Sequence, residues 1–149
     1  MAGLYFEEFT VGQAVKTAGR TISEDAIFSF AGLTGDYNQI HTDAEFASRT
    51  QFGQRIAHGL LGLSVVTGLI MQTGLLAGTV LAFREINEWK FVKPFFIGDT
   101  VSAELSVTET KALPRIGGGS VSWAIIVKNQ ADEICQRGNL NLLMLSKPK

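Results

Sequence analysis

Asp36 and His41 stand five residues apart in the polar stretch Gly35-Asp36-Tyr37-Asn38-Gln39-Ile40-His41, and together they are a candidate acid/base pair. A carboxylate and an imidazole can pass protons near neutral pH, the imidazole because its ordinary pKa lies close to it. The chemistry needs both groups aimed at one point, which a bend held at each end supplies. Gly35 can adopt backbone angles closed to other residues. Asp36 and Asn38 favour turns by bonding nearby main chain. Downstream, Ala57-His58-Gly59 opens a long apolar run. The residues alone favour a plainer reading, in which Asp36 and Asn38 shape a turn and His41 is a partly buried, satisfied ring.

The elements around this loop follow from periodicity. Gln13 to Thr21 is read as a first strand. Ser23, followed by Glu24 and Asp25, caps a helix whose apolar stripe is Ile27, Phe30 and Ala31, ended by Gly32 and Gly35. Thr42-Asp43-Ala44-Glu45 reads as a capping box with Thr42 the cap, opening a short helix to about Arg49 with Phe46 and Ala47 turned inward. This places His41 just outside that helix. Gly59 to Met71 is apolar on nearly every side, yet short of the ~20 residues of a membrane span, so it is expected as a helix inside the core. Glycines 59, 62 and 68 allow close approach of other backbone.

Beyond Thr79 the period changes. Val80 to Phe91 is expected as a long strand, and Val101, Ala103, Leu105 and Val107 alternate with polar neighbours. Leu113 to Gly119 reads as a mobile hairpin loop. Val121, Trp123, Ile125 and Val127 mark another strand, and Glu133 to about Leu145 the last, with Gly138 a bulge or crossing point. The result is an α+β domain of 149 residues: a curved antiparallel five-stranded sheet wrapped around one long helix.

Bulk properties narrow the classes of function. With 46% apolar residues the chain can bury one core, and a net charge of −1 with scattered cations gives no field for nucleic acid. The acidic start, Glu7-Glu8, lacks the basic and apolar segments of a secretory signal, so a cytoplasmic location is expected, with no membrane partner. One cysteine, Cys135, and two histidines leave no usual structural zinc set, and no metal is expected. Gly117-Gly118-Gly119-Ser120 lacks the lysine and following helix of a phosphate-binding loop.

Phe30-Ala31-Gly32-Leu33-Thr34-Gly35-Asp36-Tyr37-Asn38-Gln39-Ile40-His41, then Phe46-Ala47 and Ile56-Ala57-His58-Gly59-Leu60, closely resemble the MaoC-like, (R)-specific enoyl-CoA hydratases of the hotdog fold. Phe6 to Gly12 and Phe91 to Asp99 are similar to that family too, so the likeness spans most of the chain. One position departs from it: the family's usual proline after the asparagine is Gln39 here. The resemblance implies that Asp36 and His41 are catalytic, that Asn38 shapes the overhanging loop, and that the Gly59 N–H polarises a thioester carbonyl. It implies (R)-specific hydration of trans-2-enoyl-CoA, with the reverse dehydration, by a homodimer or higher homo-oligomer without a cofactor. Which of Asp36 and His41 delivers the final proton stays open. His58 is a candidate substrate-binding residue, a second polar group at the carbonyl, or a ring held by backbone bonds that fixes the helix entrance, which is the reading preferred. Thr67 borders the acyl pocket or simply packs. Phe52, Ile70, Met71 and Leu75 are tunnel or core. Arg84, Lys90, Lys93, Lys111 and Arg115 are candidate contacts to coenzyme A phosphates. Two rivals share the fold: an acyl-CoA thioesterase and a non-catalytic acyl-CoA-binding protein.

Overall fold

Strict alternation builds the sheet. In the computed structural model, which describes residues 2–149, β4 (Thr100–Leu113) turns Val101, Ala103, Leu105 and Val107 inward and Ser102, Glu104 and Ser106 outward. β5 (Gly118–Lys128) buries Val121, Trp123, Ile125 and Val127, and β6 (Ile134–Leu145) buries Leu140, Leu142 and Met144. With β1 (Ala14–Lys16) and β3 (Val80–Phe91) the antiparallel order is β1-β4-β5-β6-β3, and β2 (Arg20–Thr21) also pairs with β4. One face of this sheet closes over the long helix α4 (Gly59–Gln72), whose Leu61, Leu63, Val66, Leu69 and Ile70 are buried. This is the hotdog arrangement of an α+β domain.

The sheet has six strands, not five. The expected strand from Gln13 to Thr21 breaks at Thr17, whose hydroxyl donates to the Ala18 carbonyl and accepts the Ala103 N–H, so the edge splits into β1 and β2. The expected loop from Leu113 to Gly119 is shorter than its bounds, because Leu113 closes β4 and Gly118 and Gly119 already open β5. β4 and β5 run to a single 3-10 turn, Pro114–Ile116. Its glycines serve close approach: a Cβ on Gly118 would lie 1.8 Å from the Met144 carbonyl oxygen, and one on Gly119 2.3 Å from the Phe6 ring. The bulge expected at Gly138 lies across from it, in β3, where Glu88 has a φ of 51° and the register shifts between Asn87 and Lys90.

Three helical pieces carry the polar loop. α1 (Glu24–Thr34) is capped by the Ser23 hydroxyl, buries Ile27 and Ala31, and stops at Gly35, which has a φ of 80°. α2 (Gln39–Thr42) is a single turn capped by Asn38. α3 (Ala44–Ser48) is capped by Asp43, whose carboxylate accepts the Phe46 N–H at 3.0 Å. The expected cap, Thr42, is inside the preceding turn and donates back to the Tyr37 and Asn38 carbonyls, so the next residue takes over capping. Ala47 is buried as expected, while Phe46 is exposed.

Gln39 occupies the first helical position of α2. Proline suits that position because its missing N–H has no partner within the helix in any case. Asn38, at φ −48° and ψ 132°, already has the extended backbone that a following proline requires. Gln39→Pro is therefore expected to raise unfolding stability by about 0.5–1 kcal/mol through the unfolded chain, read from the midpoint of denaturant unfolding. A loss of stability would show that the Gln39 N–H or side chain does something this geometry omits.

Candidate active site

His41 stands outside α3, as expected, and belongs to a turn of its own, α2, which Asn38 caps. The ring is buried, and its Nδ1 donates to the Ile56 carbonyl at 2.7 Å. A carbonyl only accepts, so Nδ1 carries the proton and Nε2 keeps the lone pair of the neutral ring. Burial pushes the His41 pKa below its ordinary value and His58 nearby adds to this. The Ile56 carbonyl and the Asp36 charge oppose the shift without cancelling it. His41 is thus held neutral with one basic nitrogen free.

Asp36 is on the exposed side of the same loop. Its Oδ1 accepts the Asn38 N–H at 3.1 Å and its own N–H donates to Thr34 Oγ1 at 3.2 Å. Asn38 repeats the motif, accepting the Ile40 N–H at 3.0 Å. These two side chains thereby each fix the backbone two residues on, which ties down the loop despite its lack of sheet pairing.

The third group is His58. It immediately precedes α4, is 3% exposed, and donates from Nε2 to the Asp36 carbonyl at 2.9 Å. Its ring stacks on His41 with centroids 3.9 Å apart and planes at 28°, and Phe30 packs against it at 4.9 Å. Ligand-type atoms of Asp36, His41 and His58 all lie within 4.8 Å of one another. Face-to-face imidazoles keep their in-plane lone pairs in separate planes, a poor arrangement for one shared cation.

Gly59 follows as the first residue of α4. Among the described residues no side chain caps this helix, so the N–H groups of its first turn have no side-chain acceptor and the positive end of the dipole faces outward. Gly59 and His58 line a cleft of about 520 Å³ with Phe52, Phe91, Lys93 and Phe95. A Cβ on Gly59 would lie 2.8 Å from the Phe91 ring. Asp36 and His41 do not line this cleft. They meet it through His58, one residue before Gly59.

Thr67 is not brought to this cleft. Its hydroxyl donates to the Ser64 carbonyl, and it lines a separate apolar cavity of about 220 Å³ between α4 and β3 with Ile70, Met71 and Phe83. Phe52 borders the first cleft, Ile70 and Met71 the second. Of the candidate cations, Lys93 borders the first cleft but is paired with Glu133, while Lys90 lines another depression with Glu88 and Arg137. Cys135 is buried and burial raises its thiol pKa, as befits packing.

Sequence reasoning missed Gln136. It is 2% exposed, donates from Nε2 to the Gly59 carbonyl at 3.0 Å and accepts the Trp89 indole N–H at 3.2 Å, tying the start of α4 to the sheet. A Cβ on Gly62 would lie 2.5 Å from its amide nitrogen, so that glycine makes room for this link. The signal was present: Gln136 shares the parity of Leu140, Leu142 and Met144, which places a polar side chain on the core face of the strand.

Comparison with known proteins agrees with this architecture. The family model for the MaoC like domain matches residues 7–133. An (R)-specific enoyl-CoA hydratase of Rhodospirillum rubrum is 38% identical over 104 residues, 70% of this chain and 69% of that one. A 3-hydroxybutyryl-CoA dehydratase of Methylorubrum extorquens is 37% identical over 106 residues, 71% of this chain and 65% of that relative, just under two thirds of its length. The X-ray structure of a monoamine oxidase regulatory protein from Archaeoglobus fulgius superposes with a TM-score of 0.91 at 36% identity, covering 99% of this chain and 98% of that one. Among the described residues no helix is long and apolar enough to cross a membrane.

Proposed function

Since this chain belongs to the MaoC-like domain family, we propose that it hydrates trans-2-enoyl-CoA to (R)-3-hydroxyacyl-CoA and runs the reverse dehydration. The observation that carries this reading is the meeting of Asp36 and His41 within 4.8 Å, with His41 Nδ1 tied to a carbonyl and Nε2 left basic. The relatives named as an enoyl-CoA hydratase and a 3-hydroxybutyryl-CoA dehydratase support the reaction class.

The chemistry follows from the groups. Asp36 and His41 grip one water. As its oxygen bonds to the β-carbon, the pair takes a proton from it and the alkene electrons move through the α-carbon toward the thioester oxygen. The Gly59 N–H, at the positive end of a 14-residue helix, stabilises that charge. Return of a proton to the α-carbon balances the addition. Asn38 keeps Asp36 and His41 in register, and no metal or redox group is required by these steps. Thr67, in the separate cavity beside β3 with its hydroxyl bonded to the Ser64 carbonyl, is given no role in these steps.

A homodimer joined along β3 completes the reading. β3 is an edge strand with Leu81, Phe83, Ile86 and Phe91 exposed, an unpaired apolar edge of the kind that a second copy covers.

Purified protein, assayed over several acyl chain lengths, is expected to remove the enoyl absorbance of trans-2-enoyl-CoA, to give only the (R) alcohol, and to sediment as a dimer or larger. Thiol release from a saturated acyl-CoA without loss of enoyl absorbance would replace the hydratase by the thioesterase. Tight binding with no turnover would leave a binding protein, and a monomer in solution would remove the β3 interface.

A further inference from the structure

We propose that His58 is a positioning residue that holds the Asp36–His41 loop in register with the start of α4. The kinetic part of this proposal rests on the hydration reading; the geometric part does not.

Three links meet at one residue. The Nε2–H is bonded to the Asp36 carbonyl, one face lies against His41, and the main chain continues directly into Gly59. The His58 carbonyl is also the acceptor that starts α4, taking the Leu61 N–H at 3.0 Å and the Gly62 N–H at 3.3 Å. His41 also reaches this side, through the Ile56 carbonyl, but His58 is the residue whose main chain runs directly into Gly59. A shift of α4 relative to the loop must therefore either break a buried hydrogen bond or unstack two rings.

The other nitrogen strengthens the inference. His58 Nδ1 is buried and has no hydrogen-bond partner among the described residues. An orphaned buried nitrogen carries a penalty that phenylalanine would avoid at similar size. Retention of an imidazole here is explained by what its Nε2–H does. The same burial argues against direct substrate contact, because the ring is 3% exposed and its donor is already engaged.

Two substitutions separate the ring from the donor. His58→Phe keeps a stacking surface and removes the N–H, while His58→Gln lacks the ring but carries an amide donor at comparable reach. We expect kcat to fall about tenfold or more in His58→Phe with KM within about twofold, since misplaced reacting groups lose rate before affinity. His58→Gln should recover part of that loss. Amide hydrogen exchange at Asn38 and Ile40 should accelerate in His58→Phe and less in His58→Gln. In the unaltered protein, whose two histidines make the ring ¹⁵N spectrum simple, His58 should be the Nε2–H tautomer. Unchanged kcat and exchange in His58→Phe, or an Nδ1–H tautomer, would overturn the proposal. Equal losses in both variants that follow only a lowered melting temperature would overturn it too. If the unaltered protein hydrates nothing, the function proposed above fails, while the tautomer and the exchange rates still decide the role of His58.

Discussion

Asp36→Asn is expected to lower kcat for enoyl-CoA hydration by about a thousandfold while leaving the fold intact. The substitution is mild in geometry. Asp36 Oδ1 accepts the Asn38 N–H, and the amide oxygen of asparagine accepts it as well. The main-chain carbonyl that holds His58 is untouched. What disappears is the negative charge and the ability to take a proton. KM should stay within severalfold, because an exposed loop carboxylate contributes little to holding an uncharged acyl chain. A second readout follows from the electrostatics: the Asp36 charge is among the influences that raise the His41 pKa against its burial. Its removal should move the His41 titration still lower, which a proton NMR titration of the two histidines reads directly. A variant with the kcat of the unaltered protein would sink the assignment of Asp36.

How far the molecule could be read in advance differs between sheet and loop for a physical reason. The strands β3 to β6 and the helix α4 announce themselves, since burial of one face imposes a period of two or a continuous apolar run, and both survive in the order of residues. The segment from Gly35 to Ser48 obeys no such period. There, one hydroxyl decided the outcome: Thr42 bonds backward to Tyr37 and Asn38, which turns an expected loop into the helical turn α2 and passes the cap of α3 to Asp43. Asp36 and His41 were legible as a pair from the resemblance, and their meeting within 4.8 Å agrees with it. The partners of that pair were less visible. Ile56 and Asp36 act through main-chain carbonyls, which every residue type possesses, so no side chain marks them. Gln136 acts across 77 residues on Gly59, a separation at which local pattern says nothing about contact. The triple glycine misled because glycine serves mobile loops and close approaches alike, and only the Met144 carbonyl and the Phe6 ring above it tell the two apart.

His41→Asn is the companion experiment, and it adds a dependence on pH. The side-chain amide of asparagine can still donate to the Ile56 carbonyl in place of Nδ1, so the link between α2 and the entrance to α4 is kept while the basic Nε2 is lost. A fall in kcat of about a thousandfold is expected. The double variant with Asp36→Asn should be little worse than either single one, since the two act as one unit on one water. For the unaltered enzyme, burial comes first among the causes that lower the His41 pKa. Between that lowered value and the ordinary one of about 6.5 the unfolded chain binds a proton that the native protein refuses. Stability therefore rises with pH across the window, is fully present above about 6.5, and is lost as pH falls through the native value. Hydration should follow the same direction, holding below the usual histidine range and failing only when the buried ring protonates. Denaturant midpoints and kcat/KM measured from about pH 5 to 8 check both limbs, and His41→Asn should remove this contribution to the slope of stability. An acidic limb of kcat/KM centred at or above the ordinary histidine value would show that His41 is not the buried base that turns over substrate.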